Sequence, residues 1–318
     1  MLVPEALERI VLVPRNGLGN RLQAWASATI LAAQWDVPLK VMWEPETPAP
    51  AAPTELFSAE AISRSFVSRE WLDDLLGIAH EGLPRYLQVD SSRRVVTLAG
   101  HDRGEQVFMA ALPGALTNAS EPHSLVIIAG GLFHIPSAED FNRQRSLFYG
   151  ALPWTKHLLE RARLAFSGHA PYCALHIRQT DRSLEAPPAS VIRQALATMA
   201  ERVAERSLFI TADTAAGRST WADEAPRLGY SPWSVADTEF DRTATSGAVS
   251  AAVDWILLAG ATALAYPAAS TFSAEAAVAS GHGELCVPMS ASRRRQQARA
   301  WGMHARHAVT YPSRHWRR

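Results

Sequence analysis

Cysteine is almost missing from this chain. Two residues, Cys173 and Cys286, occur in 318, with no Cys-x-x-Cys pair and no Cys/His spacing that would hold zinc. That scarcity excludes a disulfide framework and a structural zinc site, and it predicts a reducing compartment. Long apolar runs are lacking as well: no stretch approaches the roughly 20 consecutive apolar residues that a membrane span needs. The N-terminal segment carries Glu5 and Glu8 where a secretory leader would be basic and then apolar. The expectation is a soluble, unprocessed, cytoplasmic protein with no membrane span, in which the sequon Asn118-Ala119-Ser120 has no meaning. Acid is missing from one region. Residues 291–318 hold eight arginines and no carboxylate side chain, so at zero net charge the other 290 residues sum to −8. Such asymmetry suits a nucleic-acid surface. The favoured reading is a C-terminal helix or tail that packs Trp301 and Trp316 and turns its arginines to water, with no nucleic-acid partner.

What is present is the composition of a globular protein, 47% hydrophobic and 19% charged, at a length that predicts two domains. Arg9 to Pro14 is a short β-branched run; Asn16-Gly17-Leu18-Gly19-Asn20 breaks it; Arg21 to Trp35 carries Leu22, Trp25, Ala26, Thr29, Ile30 and Ala33 at helical spacing. The unit reads strand, glycine turn, helix. Val37 to Trp43, Arg94 to Leu98, Gln106 to Ala111 and Ser124 to Ala129 are further strand candidates, and the Pro/Ala-rich stretch Glu44 to Pro53 and the segment after Phe57 read as irregular. Beyond Ile135-Pro136-Ser137 the order of strand and helix repeats, with strands at Tyr172 to Ile177, Leu208 to Thr211, Ala263 to Tyr266 and Glu284 to Val287. Helices fall between them, at Pro188 to Arg206, Thr214 to Leu228, Ala248 to Leu258 and Ser273 to Ser280. Alternation of this kind predicts an α/β protein with parallel sheets covered on both faces. The expected division is residues 1–140, a Rossmann-like domain; 141–290, a second; and 291–318, the basic tail.

Ligands of open parallel sheets bind outside the carboxyl ends of the strands. Three strand ends in the second half carry suitable chemistry. His176-Ile177-Arg178-Gln179-Thr180-Asp181 puts His176 and Arg178 on one face by period-two alternation, and a guanidinium grips phosphate oxygens with paired, charge-assisted hydrogen bonds. Thr211-Ala212-Asp213-Thr214 places Asp213 or Thr214 to cap the following helix. Ala269-Ser270-Thr271-Phe272-Ser273 is hydroxyl-rich and opens a helix whose first amides favour an anion. Each also fits a bland role: a solvated arginine, a helix cap, a tight turn at Asn16 to Asn20, an exposed acid at Asp254.

Order and context resemble a known family. Arg15-Asn16-Gly17-Leu18-Gly19-Asn20-Arg21 after a first strand, then Val41-Met42-Trp43 and Leu56-Phe57, look like the opening of bacterial fucosyltransferase-like proteins. His176 to Asp181, the strand Phe209 to Asp213, and Asp254 to Ser273 are similar to three spaced motifs of the superfamily that holds the α-1,6-, nodulation, α-1,2- and protein O-fucosyltransferases. The resemblance implies a GT-B-like fold, two Rossmann-like domains facing a cleft, with the first on the acceptor side and the second binding a GDP-sugar. It implies that Arg178 binds the β-phosphate, that His176 and Asp254 hold the nucleoside, that Asp213, Ser270, Thr271 and Ser273 add donor contacts, and that Asn20 approaches from the first domain.

The same resemblance implies transfer of a hexose, L-fucose from GDP-fucose, to a hydroxyl acceptor with inversion. Neither a cofactor nor a metal is expected, since no Asp-x-Asp triplet occurs and Arg178 with helix amides would offset the charge of the leaving diphosphate. Asp181 and Glu185 are rival candidates for the base. Gln179 stands where the family has a second arginine, with Arg182 nearby. That departure keeps open another nucleotide-sugar donor, or a catalytically silent nucleotide-binding protein of the same fold.

Overall fold

The computed structural model describes residues 7–76, 95–100, 123–133, 138–169, 171–179 and 186–290. In chain order these form β1 (Leu7–Pro14), α1 (Leu18–Trp35), β2 (Leu39–Val41), α2 (Pro53–Leu56), α3 (Ala59–Ser65), α4 (Arg69–Leu76), β3 (Val95–Gly100) and β4 (His123–Ala129). Next come α5 (Ala138–Gly150), α6 (Lys156–Phe166), β5 (Cys173–Ile177), α7 (Ala189–Arg202), β6 (Ser207–Ala212) and α8 (Ala215–Glu224). A 3-10 turn (Ala225–Leu228), β7 (Ser231–Trp233), α9 (Thr245–Ala259), β8 (Ala263–Pro267), α10 (Thr271–Ala279) and β9 (Val287–Met289) complete the order. The predicted strand at Gln106 to Ala111, the segment 135–137 beyond which the order repeats and the basic tail lie outside the described residues.

Two compact units result: Met1–Phe166 with Ala236–Ala259, and Ser167–Val235 with Gly260–Arg318. The division expected near residue 140 therefore falls at Phe166, and the segment 236–259, expected in the second domain, belongs to the first unit. The reason is aromatic packing. Trp255 on α9 is 1% exposed and meets Tyr149 and Trp154 with ring centroids 5.7 Å apart in each case.

In the first unit the described strands run parallel in the order β2-β1-β4-β3. β4, the apolar run HSLVIIA, is buried along its whole length, as a central strand covered on both faces must be. One face carries Val11, Val13, Met42, Leu72, Val126 and Ile128. Helix α1 is buried at fourteen of eighteen positions rather than along one stripe, because Trp25 is enclosed by Trp43, Phe57, Phe66 and Phe148 in edge-on contacts. The segment after Phe57, expected to be irregular, is α3 and α4. Each is short, α3 without a buried residue and α4 with Leu72 alone, so neither shows a long amphipathic period.

The second unit is a five-stranded parallel sheet in the order β7-β6-β5-β8-β9. The chain moves outward from β5 to β7 and then returns to the other side of β5 for β8 and β9. This is the doubly wound order, and its switch point lies between β5 and β8. Leu175, Leu196, Met199, Leu208, Ile210 and Trp221 are among the side chains that fill its core beneath α7 and α8. β7 and β9, each with a proline at its middle position, occupy the edges, where a missing N–H breaks no ladder; interior strand β8 carries its proline only as its last residue.

Candidate functional site

The switch point brings three of the singled-out segments together. β6, β5 and β8 are neighbours and parallel, so the residues after Ala212, Ile177 and Pro267 leave the sheet on the same side. His176, one residue from the end of β5 and 6% exposed, places Nδ1 2.8 Å from the hydroxyl of Ser273. Ser273, itself fully buried, sits in the first turn of α10. The His176 ring also packs at 5.5 Å from Phe272. Strand β5 and helix α10 are thus pinned to each other by a hydrogen bond between residues 97 positions apart.

The start of α10 has a polar atom without a counterpart. Ser270 is the N-cap residue but makes no side-chain cap bond, and its hydroxyl oxygen is buried with no hydrogen-bond partner. A buried hydroxyl left unpaired costs about 1–3 kcal/mol, so this oxygen marks the helix N-terminus as a place suited to an added group. Thr271, half-buried, is the first residue of the helix, which begins two positions before the expected Ser273. First-turn amides and the helix dipole favour an anion at such an end.

Asp213 and Thr214 divide the role that the sequence left open between them. Thr214 is the cap, accepting from the Gly217 amide at 3.0 Å. Asp213 instead accepts from the Gln179 amide through both carboxylate oxygens, at 2.9 and 3.0 Å, and its own amide donates to the Ile177 carbonyl at 3.2 Å. It ties the exit of β5 to the exit of β6. The side chain of Gln179 lies over the first turn of α8: a Cβ on Gly217 would come within 2.6 Å of Gln179 Oε1. The Gln179 side-chain amide is therefore turned toward α8, over a position where an added Cβ would make it shift. Arg178, which precedes Gln179, is half-buried. Asp181, Arg182 and Glu185 lie outside the described residues.

Asn20 and Asp254 fall in the first unit, Asn20 half-buried in the first turn of α1 and Asp254 7% exposed on α9. The placement of Asp254 corrects the expectation that it belongs with the second domain. Around Asn20 the Asn-Gly turn is a charge network. Asn16 takes a left-handed φ of 69° and its carbonyl accepts from Arg21 Nε at 2.8 Å. Arg21, fully buried, also donates to the Glu44 carbonyl at 2.7 Å and stands 4.9 Å over the Trp43 ring. Arg15 bridges Glu44 and Glu46 at 2.7 and 2.9 Å, and Arg69 bridges Glu44 and Asp73 at 2.9 and 2.7 Å. Burial pulls the Arg21 pKa down to about 10 against the opposing pull of Glu46, which leaves the guanidinium charged at neutral pH.

Sequence reasoning singled out neither this network nor Gly217. The bonds from Arg15, Arg21 and Arg69 to Glu44 and Glu46 join residues 23 to 31 positions apart, beyond any periodic signal. Among the described residues no group of three or more His, Cys, Asp or Glu is placed to hold a metal ion, and no helix is long and apolar enough to cross a membrane.

No protein-family profile and no curated protein matches the chain by sequence. Solved structures do match by fold. A variant of FUT1 of Arabidopsis thaliana in complex with GDP superposes with a TM-score of 0.57 at 15% identity over 86% of this chain and 68% of that one. The fucosyltransferase NodZ from Bradyrhizobium does so at 0.53 and 18%, over 85% and 92%. The apo form of POFUT1 gives 0.54 and 13%, over 89% and 97%. The chain has the fold of these fucosyltransferases.

Proposed function

We propose that this chain is a glycosyltransferase that moves a hexose from a GDP-sugar, L-fucose from GDP-fucose, to a hydroxyl acceptor with inversion and without a metal ion. The observation that carries the proposal is the convergence at the β5/β8 switch point. A buried histidine, a half-buried arginine and a helix N-terminus with an unpaired buried hydroxyl lie where open α/β sheets bind phosphorylated ligands. The fold supports it, since NodZ α-1,6-fucosyltransferase of the same fold was solved after soaking with GDP-fucose, at a TM-score of 0.54.

In this reading the bond between the anomeric carbon and the diphosphate oxygen breaks as the acceptor oxygen bonds to that carbon from the opposite face. Negative charge grows on the leaving diphosphate. Arg178, the α10 amides, Thr271 and the Ser270 hydroxyl offset it, while His176, held by Ser273, orients the donor. A carboxylate takes the acceptor proton, with Asp181 and Glu185 as the two candidates. Asp254 as guanine acceptor, from both the ring N–H and the exocyclic amine, and Asn20 as a donor contact from the first unit enter on the resemblance alone. Asp213 acts by fixing the Gln179 backbone beside Arg178.

Nucleotide-dependent thermal stabilisation tests the donor: GDP is expected to raise the melting temperature more than UDP, dTDP or ADP at equal concentration. Release of fucose or its transfer from GDP-fucose, persisting in EDTA, tests the chemistry. Stabilisation by another nucleotide in place of GDP moves the proposal to a different sugar donor. GDP binding with no turnover of any GDP-hexose identifies a silent nucleotide-binding protein.

A further inference from the structure

Within the first unit a cavity of about 610 Å³ opens beside the start of edge strand β2, against the middle of α1. Its size is that of a small-molecule pocket rather than a packing fault. It lies at the entry of β2, whereas the proposed donor chemistry sits at strand exits of the second unit. The walls are of two kinds. Trp25 and Phe148, whose rings meet edge-on at 5.6 Å, form an aromatic side. Lys40 and Arg64 form a cationic side, with Glu60 the one carboxylate in the lining. Lys40 Nζ donates to the Arg64 carbonyl oxygen at 2.8 Å, which fixes one ammonium position and leaves two of its three N–H donors uncommitted to that bond. Among the described residues no carboxylate pairs with the Arg64 guanidinium.

An aromatic wall, two cations and one acid define a solute with an apolar ring face and an anionic group.

We propose that this cavity binds a small ring-bearing carboxylate, its ring against Trp25 and Phe148 and its carboxylate between Lys40 and Arg64. Aromatic carboxylates and uronic acids share that chemistry. The test uses saturation-transfer NMR on the full chain with benzoate, glucuronate, glucose and inorganic phosphate as probes. Benzoate, glucuronate or both are expected to bind, and whichever binds more tightly assigns the source. Arg64→Glu, at an exposed helix position, is expected to weaken binding by about tenfold or more, with Lys40→Met as the second variant. GDP is expected neither to displace the probe nor to bind less well to the variants, which separates this site from the proposed donor site. Failure of both acids to bind, glucose binding as tightly as glucuronate, phosphate displacing either acid as effectively as the acid itself, unchanged affinity in both variants, or displacement by GDP would each overturn the proposal.

Discussion

The exits of β1 and β5 are built from similar material and put to opposite ends. Both are strand ends carrying arginine, followed by a polar turn. At β1 the three arginines Arg15, Arg21 and Arg69 are matched by Glu44, Glu46 and Asp73, so the charges are spent on one another and on holding α1, the segment after β2, and α4 in place. At β5 His176 is held by Ser273 and Asp213 holds the Gln179 amide, while the neighbouring helix keeps a buried hydroxyl that nothing satisfies. The contrast teaches that a strand exit beside an unsatisfied buried polar group is a better ion-binding candidate than one whose charged groups are already bound to one another within the fold. Folding stability should therefore depend on the first exit and turnover on the second.

The largest expected effect breaks the first exit. Arg21→Ala removes a fully buried cation and leaves the Asn16 and Glu44 carbonyls without their donor, and urea denaturation should show a loss of about 3 kcal/mol. A loss below about 1 kcal/mol would make the network ornamental and erase the contrast. Next, Arg178→Ala should lower kcat/KM for GDP-fucose by ~10²-fold or more with the melting temperature essentially unchanged. An unaltered rate removes Arg178 from the proposed chemistry, and a large loss of stability would make the second exit structural like the first. The smallest effect sharpens the local picture: Thr214→Ala deletes the α8 cap at Gly217 and should cost about 1 kcal/mol, whereas Asp213→Ala should perturb turnover through Gln179 more than it perturbs α8. Equal effects of the two on helix stability would contradict the division of roles described for them.

Legibility followed burial and sequence distance. The β-branched runs of β1 and β4 and the apolar period of α1 are local signals, and the structure places elements there within a few residues. Strands β7 and β9 were harder: one was not foreseen and the other was expected three residues early, because each has three residues and a proline. They exist because an edge position tolerates what a central strand does not. Residues 245–259 announce a helix by composition, yet nothing local says which core receives Trp255; that depends on Tyr149 and Trp154, a hundred residues earlier. At the site, His176 and Ser273 stood out singly, while their hydrogen bond and the seat of Gln179 against Gly217 arise only from the strand order β6-β5-β8.

The return of residues 236–259 to the first unit sets a timetable for the emerging chain. A ribosome makes the whole stretch from β5 to β7 before it makes Trp255. The first unit therefore cannot close its aromatic core while it is the only part outside the exit tunnel, and the usual order of N-terminal completion before C-terminal folding is suspended. Nascent chains arrested before residue 236 should expose Tyr149 and Trp154 to protease and to dye, and those arrested well past Ala259 should hide them.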